Sequence, residues 1–144
     1  MEIINTVPWL SVHVTAVLST LAVVVIADLH GLWWLLGKTN VLPKQRLVLL
    51  HNLIWVGLAI TITAGAIMFS WAPEYYLSLT AFRLKMLFVL FLLVNAIVIG
   101  KHMHWAFSGP FGALNKGQKQ ALILSGFIST AGWIGAYVCA QFLS

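Results

Sequence analysis

The chain has 144 residues, of which 61% are hydrophobic and 8% are charged, and its formal net charge is +5. A mean hydropathy of +0.97 excludes the polar surface of a water-soluble globular protein, so we expect the chain to lie in a lipid bilayer. The positive charge does not indicate nucleic-acid binding, because the Lys and Arg residues flank apolar segments and do not alternate with aromatic residues along a groove.

Four apolar segments follow one another along the chain, and each is compatible with the roughly 20 residues that a helix needs to cross a bilayer core. The predicted helices span about residues 7–36, 47–71, 79–103 and 120–142. Pro8 lies where the first helix would begin, and the other prolines lie between helices. Because the connections are short, the sequence predicts an all-α fold: one domain over residues 1–144, forming a four-helix bundle of up-down-up-down topology.

The distribution of Lys and Arg predicts which helix ends face the cytoplasm. Six of these residues lie around the first and third connections, at positions 38, 44, 46, 101, 116 and 119, and two lie around the second, at positions 83 and 85. The positive-inside rule then places both termini on the non-cytoplasmic side. We expect a multi-pass protein of the bacterial inner (cytoplasmic) membrane. No small-residue cleavage pattern follows the first apolar run, so we expect no cleaved signal peptide.

Small residues repeat along one face of the second and fourth segments, which is typical of helices that approach closely in lipid. The second segment carries Gly57, Thr61 and Gly65, and the fourth carries Ser125, Ser129, Gly132, Ala136 and Cys139. These faces predict packing within the bundle, although they would serve a homo-oligomer or a larger membrane complex equally well.

Most Trp and Tyr residues lie near predicted helix ends, where amphipathic rings favour the headgroup region. The predicted interfacial residues are Trp9, Trp33, Trp34, Trp71, Tyr75, Tyr76 and Trp105. Trp55 and Trp133 lie deeper, where they fit either ordinary helix packing or the sides of a planar cofactor site.

Ionisable groups inside a membrane span are costly and therefore mark candidate functional sites. The predicted topology places Asp28, His30, His51 and His102 in one layer near the cytoplasmic face. His51 lies about 6 Å into its helix, and His102 lies near the end of its own, so their depths match. Asn95 precedes His102 by seven residues and should share its helix face. Facing imidazoles can bind a haem iron, and imidazoles with a carboxylate suit a transition-metal ion.

Each of these residues also has an ordinary structural interpretation. His102 and its neighbour His104 would be interfacial polar residues beside Lys101, and His30 would flank the end of the first helix. His51 would be a hydrogen-bonded structural histidine, and Asp28 would pair with a His or Lys side chain.

A second polar layer is predicted near the opposite membrane face. His13 lies about five residues into the first helix and Lys85 about five into the third, so their depths match as well. His13 can supply one axial nitrogen to a haem or one ligand to a metal ion. Lys85 would extend to water, or it would lie opposite the carboxylate of a cofactor or a bound oxidant.

Three segments together resemble a group of small bacterial four-helix membrane proteins that includes HemJ-type protoporphyrinogen oxidases and copper-resistance CopD-like proteins. The segments are PWLSVHVTAVLSTLAVVVIADLHG, LHNLIWVGLAITITAGAIMF and FRLKMLFVLFLLVNAIVIGKHMH, within residues 8–104. The resemblance implies a bound haem b and functional roles for His13 and for Lys85 as a catalytic residue. The loop after the third helix lacks the Asn-Glu-Pro-like segment of HemJ-type proteins. The resemblance therefore implies a haem-binding or redox-linked bundle and leaves the activity open.

The leading functional hypothesis is a b-type haem protein that transfers electrons or oxidises a hydrophobic substrate, with the protein supplying axial nitrogens and a dry site. One alternative is a transition-metal carrier or permease subunit that uses Asp28 and the histidines. The other alternative is a structural or assembly subunit that binds a membrane protein through its small-residue faces. The sequence contains no nucleophile, base and acid set of a soluble hydrolase.

Overall fold

A computed structural model describes the backbone of residues 3–143 and the side chains of residues 7–143. The α-helices in this part of the chain are α1 (Ile3–Leu35), α2 (Lys44–Trp71), α3 (Pro73–Ser78), α4 (Thr80–His102), α5 (His104–Ser108) and α6 (Lys116–Gln141). A short 3₁₀ helix, Phe111–Ala113, precedes α6. Four stretches are long and apolar enough to cross a membrane: residues 7–35, α2, residues 80–108 and α6. The prediction of an all-α protein with four candidate membrane spans is confirmed.

Three of the long helices begin earlier than predicted, at Ile3, Lys44 and Lys116, where the predicted starts were about residues 7, 47 and 120. The first helix begins at Ile3, so Pro8 lies inside α1 and not at its first turn. The last helix begins at Lys116, where a capping box stabilises its first turn. In this box the Asn115 side chain accepts a hydrogen bond from the Gln118 backbone N–H at 2.9 Å, and the Gln118 side chain accepts one from the Asn115 N–H at 3.0 Å.

The first helix pair consists of α1 and α2, which pack along their length through the small residues of α2. A Cβ atom on Gly57 would overlap the Thr20 side chain, and one on Gly65 would lie 3.3 Å from Cε1 of His13. The earlier residue of α1, His13, meets the later residue of α2, Gly65, and Thr20 meets Gly57, so the two helices run antiparallel. The predicted packing face of the second segment is used inside the chain.

The second helix pair consists of α4 and α6, and its contacts also indicate antiparallel packing. A Cβ atom on Gly132 would lie 2.8 Å from the Leu92 side chain, and one on Gly135 would lie 2.5 Å from Phe88. Ser125, Ser129, Gly132 and Cys139 are all buried. The small-residue face of the last helix is thus covered by α4.

A reciprocal pair of side-chain hydrogen bonds joins α4 to α6. Asn95 Nδ2 donates to the Ser125 carbonyl at 2.9 Å, and Ser125 Oγ donates to Asn95 Oδ1 at 2.6 Å. Both side chains are about 5% exposed or less. We expect Asn95→Leu and Ser125→Ala to be coupled by about 0.6–1.7 kcal/mol, the range measured for hydrogen bonds between membrane helices. A double-mutant cycle on unfolding free energy in micelles checks this value, and strictly additive effects would contradict it.

The two helix pairs contact each other mainly towards the ends of their spans. At one end the rings of Phe69 and Phe82 stack with centroids 5.6 Å apart, and Tyr76 of α3 lies against both. Towards the other end a Cβ atom on Gly100 of α4 would lie 2.9 Å from Nε2 of His51. The order of these contacts makes α2 and α4 antiparallel, so consecutive long helices alternate in direction.

An apolar cluster ties the first and third connections together at one end of the molecule. Its buried members are Trp34, Leu42 and Ala106, and Phe111 is among the residues packed against it. Trp34 Nε1 donates to the Gly109 carbonyl at 3.0 Å, and the Leu42 N–H donates to the Ala106 carbonyl at 2.9 Å. Trp34 is only 3% exposed, so it is a core residue and not the interfacial residue that the sequence predicts.

Candidate functional site

A cavity of about 660 Å³ lies between the two helix pairs, next to the apolar cluster of the connections. All four long helices contribute to its lining, which is mostly Leu, Ile, Val and Ala. Its volume lies in the range of small-molecule and cofactor sites, which is roughly 300–1,000 Å³. The polar and aromatic lining residues include Asp28, His51, Asn95, Ser125, Ser129, Thr130 and Trp133.

Asp28 and His51, which the sequence places at one depth, line this same cavity. Asp28 has no hydrogen-bond or ion-pair partner among the described side chains. His51 is half-buried, and its Nε2 atom accepts a hydrogen bond from Trp55 Nε1 at 3.0 Å. Because an acceptor nitrogen carries no proton, the neutral His51 ring holds its proton on Nδ1.

Three other residues predicted at the site have structural contacts. Asn95 faces the cavity, but the oxygen and the nitrogen of its amide are both bonded to Ser125. Trp55 supports His51 from the same helix and is absent from the cavity lining, whereas Trp133 contributes to it. Asn95 and Trp55 thus position helices and the His51 ring, and the polar atoms of both side chains take part in these hydrogen bonds.

His30 and His102 do not join Asp28 and His51 in the cavity lining. His30 Nδ1 donates to the Ile26 carbonyl of its own helix at 2.7 Å, and its Nε2 lies 3.4 Å from Nη1 of Arg46. The His102 ring stacks on Trp105 with centroids 4.3 Å apart, and its Nδ1 is buried without a partner. Within the described side chains, no group of three or more His, Cys, Asp or Glu residues could hold a metal ion. The expected four-residue layer is therefore divided.

The second polar layer is built around His13, which is half-buried between α1 and α2. Its Nδ1 lies 2.9 Å from the backbone carbonyl oxygen of Thr61. A carbonyl oxygen only accepts hydrogen bonds, so Nδ1 must donate and the lone pair of the neutral ring lies on Nε2. Gly65, one turn after Thr61, leaves room for the ring, since a Cβ atom there would lie 3.3 Å from Cε1. His13 is thus oriented by a backbone acceptor.

Lys85 of α4, in the second helix pair, belongs to the same layer. It is half-buried and lies within electrostatic range of His13. Three of the long helices therefore contribute to the second layer: α1 through His13, α2 through Thr61 and α4 through Lys85. A histidine with a free Nε2 and a nearby ammonium group can bind a metal centre that carries a carboxylate.

Thr61 is a site residue whose chemical role the sequence does not indicate. Its carbonyl accepts from His13, and its Oγ1 atom is buried without a hydrogen-bond partner. The only sequence signal is its place between Gly57 and Gly65, which indicates packing. The polar roles of Thr61 depend on which α1 residue faces it, and that is visible only in three dimensions.

Comparison with family models, with curated proteins and with solved structures finds no match to this chain.

Proposed function

We propose that the chain is an integral membrane protein that binds haem b and acts in electron transfer or in the oxidation of a hydrophobic substrate. The observation that carries the proposal is the hydrogen bond from His13 Nδ1 to the Thr61 carbonyl. Histidines that bind a metal generally donate their second ring N–H to a carbonyl or carboxylate, which fixes the tautomer and the ring orientation. When bound, the haem supplies the one-electron chemistry, and the protein sets its ligation and surroundings.

The charge and polarity of the other groups in the His13 layer are compatible with the same cofactor. Lys85 is a cation in a largely apolar span, and a haem propionate is an anion that would stabilise it there. The buried Oγ1 of Thr61 offers a further polar atom next to the imidazole. The resemblance noted from the sequence implies roles for the same two residues, His13 and Lys85. We therefore propose that His13 would bind the haem iron and that Lys85 would pair with a propionate.

His51 is the second imidazole that could ligate a haem, but its surroundings support this role less well. Its Nε2 atom is already bonded to Trp55 and lies against Gly100. The cavity beside it contains the Asp28 carboxylate and no Lys or Arg in its lining, so a propionate there would meet an anion without a compensating cation.

A transition-metal carrier has less support, because Asp28 and His51 offer only two ligand side chains in the cavity. An assembly subunit also loses its main argument, since both small-residue faces are covered within the chain. An oligomer or a larger complex would have to use other surfaces.

The cellular placement that goes with this proposal is the bacterial cytoplasmic membrane, with both termini on the non-cytoplasmic side. The excess of Lys and Arg around the first and third connections supports it. The His13 layer would then lie near the non-cytoplasmic face.

The experiment that tests the proposal is a visible absorption spectrum of the detergent-purified protein after haem-supplemented expression. We expect a Soret band, with sharp α and β bands after dithionite reduction. A featureless spectrum at a verified protein concentration would overturn the haem proposal.

A further inference from the structure

The cavity between the helix pairs is closed at the end that faces the connections. Trp34, Leu42 and Ala106 belong both to the cavity lining and to the buried apolar cluster. Two hydrogen bonds cross this cluster: Trp34 Nε1 at the end of α1 donates to the Gly109 carbonyl, and the Leu42 N–H of the first connection donates to the Ala106 carbonyl. The buried cluster therefore covers the cavity at this end.

The cavity opens sideways, between α1 and α6. Its lining residues from α2 and α4 are buried or half-buried, as Leu58 and Leu92 illustrate. Several lining residues of α1 and α6 are exposed, and these are Val25, Asp28, Leu29, Leu32, Ile123, Gly126 and Thr130. In a membrane span these exposed residues face the bilayer. The cavity is accordingly accessible to molecules dissolved in the lipid.

Two polar side chains in the cavity have unused hydrogen-bonding groups, one an acceptor and the other a donor. Asp28 presents a carboxylate without a protein partner, which accepts hydrogen bonds when ionised. His51 has its Nε2 bonded to Trp55, so its Nδ1–H is a donor. Trp133 adds an aromatic ring to the same lining. A hydroxyl group on a ring would donate to Asp28, and a ring oxygen would accept from His51.

We propose that this cavity binds the head group of a lipid-soluble hydroquinone, which enters from the bilayer between α1 and α6 and is held by Asp28 and His51. An apolar cavity that opens to lipid selects a hydrophobic molecule, and the acceptor and donor groups select hydroxyls on its ring. The proposed ligand also accounts for the presence of Asp28 in a membrane span, because an unpaired acid there is costly without a polar ligand.

This inference rests on the proposed function, because it names the class of hydrophobic molecule that would act with the haem. The two sites are separate: His51 precedes Thr61 by ten residues on α2, which corresponds to about 15 Å along the helix. Loss of one site should therefore leave the other intact, and the two proposals can fail independently.

The test is isothermal titration calorimetry of the detergent-purified protein with a decyl-substituted benzohydroquinone under anaerobic conditions, using its dimethyl ether as the comparison. The ether has the same ring and chain but no hydroxyl donors. We expect the hydroquinone to bind at least about tenfold more tightly than the ether, since a hydrogen bond to a charged group contributes roughly 1.5–3 kcal/mol. Equal affinities for the two compounds would overturn the proposal without the need for any variant.

Two variants place the binding site. Asp28→Asn and His51→Phe should each weaken hydroquinone binding by about tenfold or more, with the ether unaffected. Glu74→Gln is the matched control, because this exposed carboxyl belongs to the first turn of α3 and lies outside the cavity lining. Unchanged hydroquinone affinity in both cavity variants would overturn the assignment. The haem spectrum of Asp28→Asn should match that of the wild type, while His13→Ala should still bind the hydroquinone.

Discussion

His13→Ala should abolish the Soret band of the purified protein. Removing a residue that only supports a metal ligand lowers metal affinity by about 10–100-fold, and removal of the ligand itself should cost at least as much. The haem-to-protein ratio should therefore fall by more than about tenfold. The measurement is the pyridine haemochrome absorbance per mole of protein, taken from a single gel-filtration peak.

The matched control is His104→Ala. This exposed histidine lies at a connection, and its Nδ1 donates to the Lys101 carbonyl at 2.8 Å, so we expect an unchanged spectrum. Imidazole added to His13→Ala should restore part of the band, which separates ligand loss from misfolding. Lys85→Met should keep the band at reduced occupancy, and Lys85→Arg should restore it. A full Soret band in His13→Ala would refute His13 as the axial ligand.

Gly57→Val should separate α1 from α2 and lower the free energy of unfolding by about 3 kcal/mol. This value is at the upper end of the cost of inserting extra side-chain atoms into a packed core. A Cβ atom at this position would overlap Thr20, which is 2% exposed and donates its hydroxyl hydrogen to the Ala16 carbonyl at 2.6 Å. The Thr20 side chain therefore has little room to move away. Unfolding free energy from SDS titration of the protein in mixed micelles measures the effect.

Gly31→Val is the control for this substitution, because it also replaces a helical glycine and a Cβ atom there would meet nothing within 4 Å. We expect a change within about 0.5 kcal/mol. Thr20→Ala in the Gly57→Val background should recover part of the lost stability, since it removes the hydroxyl that lies closest to the new side chain. Equal destabilisation by Gly31→Val and Gly57→Val would contradict a steric origin.

Features of this structure that depend only on position along a helix axis were predictable from the sequence. The four spans follow from apolar length, and the depth of each polar residue follows from its distance to a helix end. Depth alone predicted one layer for Asp28, His30, His51 and His102, and of these four Asp28 and His51 line one cavity. It also placed His13 and Lys85 in one layer, where the structure brings them within electrostatic range.

The rotation of each helix about its own axis could not be predicted from the sequence. The predictions for His30 and His102 differ from the structure for this reason. His30 has a suitable depth, but it turns towards Arg46 and its own helix. His102 lies seven residues after Asn95, yet Asn95 bonds to Ser125 while the His102 ring stacks on Trp105. The buried state of Trp34 depends on the fold of two connections that are distant in sequence, so a position near a helix end wrongly indicated an interfacial residue.

The division into two helix pairs bears on how the protein reaches its final state in the membrane. Each pair is continuous in sequence, so α1 and α2 can complete their packing while the ribosome is still synthesising the second pair. The contacts between the pairs, at Phe69 with Phe82 and across the cluster of Trp34, Leu42 and Ala106, require both pairs to be present. The cavity between the pairs is thus completed only when the two hairpins meet, because all four long helices contribute to its lining.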